Sequence, residues 1–189
     1  MARPTASLRL SQIDPVQLVR DVNSALAEHI ATLARIVAPG YTVHLTGPVG
    51  DTDIGLTLLD LARYAVGLDA HLDGPVSDYA LSLLALLDAP LRAEDGQHPP
   101  PLDRWLSGRV DLSGLDPESL PDRLCLVVTA AFGREALAAG APLSVAQLAA
   151  LVGVDPDHVR LLGRRGEIVV ESGHVSAGEA QRWLSTRVG

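Results

Sequence analysis

The sequence predicts a mainly α-helical protein: a helical N-terminal domain followed by a C-terminal helix-turn-helix that carries a short β wing. Three observations lead there. Apolar residues make up 47% of the 189 residues, yet only six are aromatic, so the core must be built from Leu, Val and Ala. Ala and Leu are the strongest helix formers. Apolar residues also recur every three or four positions through most of the chain, in runs separated by Asp-Pro, Pro-Gly and Gly-Pro breaks. Towards the C terminus, S-x-x-Q and S-x-x-E patterns open two short helical runs, as capping boxes do.

Taken in order, residues 1–13 read as a poorly tied arm. Asp14-Pro15 supplies a cap and a favourable first-turn proline. Val19, Val22, Leu26, Ile30, Leu33 and Val37 then share one face of a helix expected over 15–37, ended by Pro39-Gly40. The alternating, β-branched run Tyr41 to Thr46 reads as a short strand. It leads into Gly47-Pro-Val-Gly50-Asp51-Thr52-Asp53, which invites comparison with a phosphate-binding loop. No Gly-Lys-Ser/Thr follows, and Asp51 and Asp53 would repel phosphate, so a turn and helix cap is the better reading. His44, His71, Asp51, Asp53 and Asp73 lack the spacing of a recurring ligand set, so no metal site is expected.

Ile54, Leu58, Leu59, Leu61, Ala62, Ala65 and Val66 predict a nearly buried helix to about residue 68, broken by Gly74-Pro75. Ser77 is positioned to cap a further helix over 78–87, with Leu81, Leu84 and Leu87 as its core side. Residues 88–121 form an expected connector: six prolines and three glycines lie between 85 and 121 and interrupt regular structure. His98-Pro99-Pro100-Pro101 should be extended, and Trp105 and Leu106 should dock on the core. From 122 to 139 helix returns, with Leu124, Val127, Val128, Ala131 and Leu137 as candidates for burial. Cys125, the single cysteine, lies in this run without a basic setting and reads as a small core residue.

Residues 143–184 carry the densest signals. Ser144 with Gln147 caps a helix whose Leu148, Leu151 and Val152 share a face. Gly153 can close it, Asp155-Pro156 can cap and begin the next, and Val159 and Leu162 give that one its buried side. Gly166 ends it, residues 167–175 suggest a small hairpin, and Ser176 with Glu179 opens a helix burying Ala180, Trp183 and Leu184. The pattern is that of a helix-turn-helix with a short wing. The domain reading is therefore an acidic helical domain over 1–121, then a linking helix and winged module over 122–189.

Charge narrows the function classes. All fifteen basic residues are arginine. Residues 1–140 hold ten of them against eighteen Asp and Glu, while 141–189 hold five against five. No basic stripe runs along the chain, although phosphate neutralisation supplies much of the affinity of a nucleic-acid binder. The acidic part suits a protein partner or self-association. MARPTASLRL has no apolar run like a signal peptide, and Asp60, Arg63, Asp69 and Asp88 break the most apolar segments. A soluble, cytoplasmic protein without membrane contact is expected. No Ser, Cys or carboxylate pair stands in a catalytic context and no cofactor loop survives inspection, so a non-enzyme is expected, without cofactor, metal or catalytic residues.

LSVAQLAALVGVDPDHVRLLGRRGEI resembles the MerR-type and phage-excisionase-type DNA-binding domain. Val154, Pro156, Val159, Arg160, Arg165, Gly166 and Ile168 fit its pattern, as does Trp183 in the closing helix. The likeness covers roughly a quarter of the chain. It implies double-stranded DNA as partner, with the second helix in the major groove and Asp157, His158, Arg160 and Arg164 as contacts. Arg165 extends the basic cluster, and His174 at the wing turn would approach phosphate or the minor groove. The family usually places Ser, Arg or Thr where this chain has Asp155, Asp157 and His158. Asp157 would face phosphates, or accept from a cytosine amino group. That departure keeps a second expectation open, a non-catalytic adaptor that retains the fold and binds protein.

Overall fold

The computed structural model describes residues 8–37, 53–83, 112 and 115–186, which are mainly helical with one small two-stranded antiparallel sheet. The readings made for Tyr41–Thr46, the glycine-rich turn at 47–52, the polyproline run and Trp105 lie outside these residues.

Helix α1 spans Pro15–Val37, the bounds that Asp14-Pro15 and Pro39-Gly40 predict. The Val16 N–H donates to Asp14 Oδ1 at 2.9 Å, satisfying one of the donors left open at a helix start. Leu18, Val19, Val22, Ala25 and Leu26 are buried, whereas Ile30 and Leu33 emerge on the surface. Ahead of α1, residues 8–13 are tied down. Leu8, Leu10 and Ile13 are buried on either side of a 3-10 turn at Leu10–Gln12, so apolar anchoring overrides the terminal position.

Helix α2, Asp53–Val66, inserts Leu58, Leu61, Ala62 and Ala65 into the same core. It closes at Gly67, whose φ of +87° disfavours any side chain and where a Cβ would also have to displace the Arg134 guanidinium. The next helix, α3, is described over 76–83 and differs from expectation in start and register. Its buried residues are Val76, Ala80 and Leu83, while Leu81 is 45% exposed. The cause is distant in sequence: the Val76 N–H donates to Glu135 Oε1 at 2.8 Å. A carboxylate at a helix N-terminus both accepts an orphan N–H and complements the helix dipole. Ser77 bonds Asp78 instead. The neighbouring Arg134 donates from Nε to the Ala65 carbonyl at 2.7 Å, at the other end of the same connection. Arg134 and Glu135 together hold both sides of the turn between α2 and α3.

They belong to α4, Leu120–Ala138, the central helix. Ser119 caps it, accepting from the Asp122 N–H, so it begins two residues before the predicted start. Leu124 to Ala131 is buried almost throughout, packed against α1 and α2. Asp21 of α1 pairs with Arg123 at 2.6 Å. Thr129, buried, donates to the Cys125 carbonyl at 2.8 Å. Ala136 and Leu137 reach a second apolar cluster formed by the C-terminal elements.

Burial, with Asp122 adding to it, pushes the Cys125 thiol from near 9 up to about 12. The folded thiol therefore keeps its proton where the unfolded thiol loses it. Its contribution is fully present below about pH 9 and is lost as pH rises towards about 12. The expected cost is on the order of 1 kcal/mol by about pH 10. Urea unfolding near pH 8 and pH 10 should show a fall that is smaller in Cys125→Ala; an equal fall in both proteins would refute the assignment.

The C-terminal elements are β1 (Leu143–Ser144), α5 (Val145–Val152), α6 (Pro156–Arg164), β2 (His174–Val175) and α7 (Ala177–Ser185). The Ser144/Gln147 capping box is present in both directions, at 3.1 and 2.8 Å. Gly153 closes α5 at φ +72°. Asp155 caps α6 by accepting the Asp157 N–H at 2.7 Å. Leu143, Leu148, Val159, Leu162, Ile168, Val175 and Ala180 form the second cluster, with Trp183 and Leu184 partly buried against it.

Two expectations change here. The hairpin at 167–175 shrinks to a tight turn, Ser172-Gly173, with Glu171 and His174 exchanging both backbone hydrogen bonds. The strand His174–Val175 instead pairs with Leu143–Ser144, in the register Leu143↔Val175 and Ser144↔His174. This seats the buried Leu143 and Val175 on the cluster and ties the turn to the start of α5. The second capping box is half formed: Ser176 accepts from the Glu179 N–H, but the Glu179 carboxylate accepts from Arg182 and from the Val169 N–H.

Candidate nucleic-acid interface

Helix α6 buries Pro156, Val159 and Leu162 and turns the rest of its surface outward. That division follows from helical period: 156, 159 and 162 share one face, while 157, 160, 161 and 164 line the opposite one. Asp157, His158, Arg160, Arg164 and Arg165 are all exposed, so every residue expected to meet a ligand from this helix and its end is accessible. The Asp155 cap and the αL turn at Gly153 fix the direction in which α6 leaves α5.

The cationic groups are less free than their number suggests. Arg160 Nη1 lies 2.6 Å from Asp157 Oδ1, with side chains 51% and 77% exposed. Arg165 Nη1 is 3.9 Å from Glu167, and Arg182 pairs with Glu179 on α7. Among the described residues no carboxylate pairs with Arg164. These exposed pairs contribute little to stability. Their consequence is electrostatic: three arginines of the C-terminal elements already face a carboxylate, so the local field is weaker than a count of arginines implies.

His174 is exposed on β2, opposite Ser144, with Nδ1 3.1 Å from the Ser172 carbonyl. With Pro142, Val169, Glu171, Ser172 and Ser176 it lines an open concavity of about 430 Å³. No α6 residue lines that concavity.

Two exposed apolar residues were not among the predicted contacts. Leu161, on the outer face of α6, is 39% exposed, and Val169 is 57% exposed. Helical spacing puts Val159 and Leu162 on the core side of α6 and Leu161 on the outer one. The His158, Leu161, Arg165 spacing is the signal that would have shown it beside the candidate contacts.

Elsewhere, no three His, Cys, Asp or Glu side chains among the described residues come together as a metal-binding group. No described helix is long and apolar enough to cross a membrane. No family model, curated protein or solved structure matches the chain.

Proposed function

We propose that the protein binds double-stranded DNA as a transcriptional or accessory factor, with the C-terminal elements acting as a helix-turn-helix with a short wing. The observation that carries the reading is the outer face of α6. A capped, outward-turned helix presents Asp157, His158, Arg160 and Arg164, and its first turns are free to enter a major groove. The resemblance of residues 143–168 to the MerR and excisionase domains supports the same assignment. Helix α5 packs closely on α4 at Gly133, which joins the C-terminal elements to the described helices α1, α2 and α4. Paired arginines and an acidic body give low intrinsic affinity, which suits a subunit of a larger assembly whose partners supply further phosphate contacts.

Titration of fluorescent duplex at low salt tests this. Binding should weaken steeply with added salt, and Arg164→Ala should reduce the slope of log K against log salt by about 1. Arg160→Ala should abolish sequence preference. Binding unaffected by either substitution would remove α6 as the contact element. Failure to bind any duplex at about 50 mM salt would refute the reading.

One observation favours a second reading, that of a protein-binding adaptor. Leu161 exposes apolar surface on the same side of α6 as the charge-paired Arg160, and exposed apolar side chains bordered by charge are typical of protein interfaces. Under that reading the purified protein ignores DNA, and Leu161→Asp abolishes capture of its protein partner.

A further inference from the structure

We infer that Asp157 and Arg160 act as one base-reading unit, selecting a guanine together with a cytosine amino group in the major groove; the inference rests on the DNA-binding reading. Asp157 occupies the first turn of α6, where side chains of a groove-inserted helix reach base edges. Its backbone N–H is held by Asp155 Oδ1 and its carboxylate Oδ1 by Arg160 Nη1, at 2.7 and 2.6 Å. Two of its groups are thus engaged before any ligand arrives. Among the described residues Asp157 Oδ2 accepts no hydrogen bond, and the Nε–Nη2 edge of Arg160 has no partner.

What remains open is a fixed pattern, an acceptor beside a two-donor edge. Guanine presents O6 and N7, two acceptors that match the Arg160 edge. Cytosine presents the N4 amino donor, which matches Asp157 Oδ2 on the neighbouring pair. The carboxylate also rejects bases. Thymine O4 and guanine O6 are acceptors and would be repelled where the amino group belongs. The residue that weakens attraction to phosphate is therefore the one that sharpens choice of sequence. An arginine held by a carboxylate also loses less side-chain freedom on docking than a free one. Low general affinity and high discrimination then have one structural origin.

The test uses the full chain in a selection from randomised duplexes, with wild type and Asp157→Asn compared. The amide is the same size as the carboxylate and the site is exposed, so the variant should fold. Wild type should enrich a guanine with an adjacent cytosine, and 7-deazaguanine at that position should weaken binding about tenfold through loss of N7. Asp157→Asn should bind random duplex more tightly and lose about tenfold in discrimination at the cytosine. A selective wild type whose Asn variant chooses the same site equally well overturns this inference and leaves DNA binding standing. A wild type that binds no duplex overturns both.

Discussion

Leu148→Ala should lower the unfolding free energy by about 3 kcal/mol, whereas Leu161→Ala, thirteen residues on, should change it by less than about 0.5 kcal/mol. Both are leucines on short helices of the same C-terminal unit, so the contrast isolates position. Leu148 is fully buried in the second cluster, which also holds Leu143, Val145, Val159, Ile168 and Val175. That cluster is small and fed by helices of eight or nine residues, which cannot hold their shape without tertiary packing. Truncation removes a transfer contribution and leaves a cavity that such short elements only partly close. Leu161 loses little because water already reaches it. Urea unfolding of the two variants, at unchanged m-value, decides the matter. A loss below about 1 kcal/mol for Leu148→Ala would mean that the cluster does not close around it.

The contrast shows where sequence reading succeeds. Helix α1 and the pair α5–α6 have their boundaries written locally: Asp14-Pro15, Ser144 with Gln147, Gly153, and Asp155-Pro156 each act within four residues of themselves. Helix α3 fails the same treatment because its first N–H is accepted by Glu135, 59 residues away. Helical period alone puts Leu81 on the core side, yet it is 45% exposed, while Leu84 and Leu87 lie outside the described residues. Strand β2 is similar, since two-residue strands carry no period and nothing local joins His174 to Ser144. In the candidate site each residue was visible singly. The three-residue spacing of Asp157 and Arg160 that makes them a pair was also available, because i and i+3 are neighbours on a helix. Taken alone, Asp157 is an exposed carboxylate at a helix start; taken with Arg160, it is one half of an exposed ion pair.

Gly133→Val should cost about 2 kcal/mol, while Gly133→Ala should stay within about 1 kcal/mol of the wild type. Gly133 lies inside α4, where glycine is otherwise a poor choice, so a close approach must justify it. A Cβ there would stand 3.0 Å from Leu151 Cδ1 and 3.2 Å from the Gln147 carbonyl oxygen, both on α5. The leucine methyl can move, but the carbonyl is fixed in the helix backbone. One methyl is therefore tolerated with a small shift, and the gain in helix propensity from alanine offsets the crowding. Valine adds two branched methyls against the same backbone and must separate the helices. The helices it separates join the two apolar clusters: Ala146 and Ala150 of α5 pack in the first, and Leu148 and Ala149 in the second. Wild type and Gly133→Ala should therefore unfold in a single transition, and Gly133→Val in two, with the C-terminal elements melting first. Equal stability of the alanine and valine variants would show that α4 and α5 do not meet at this glycine.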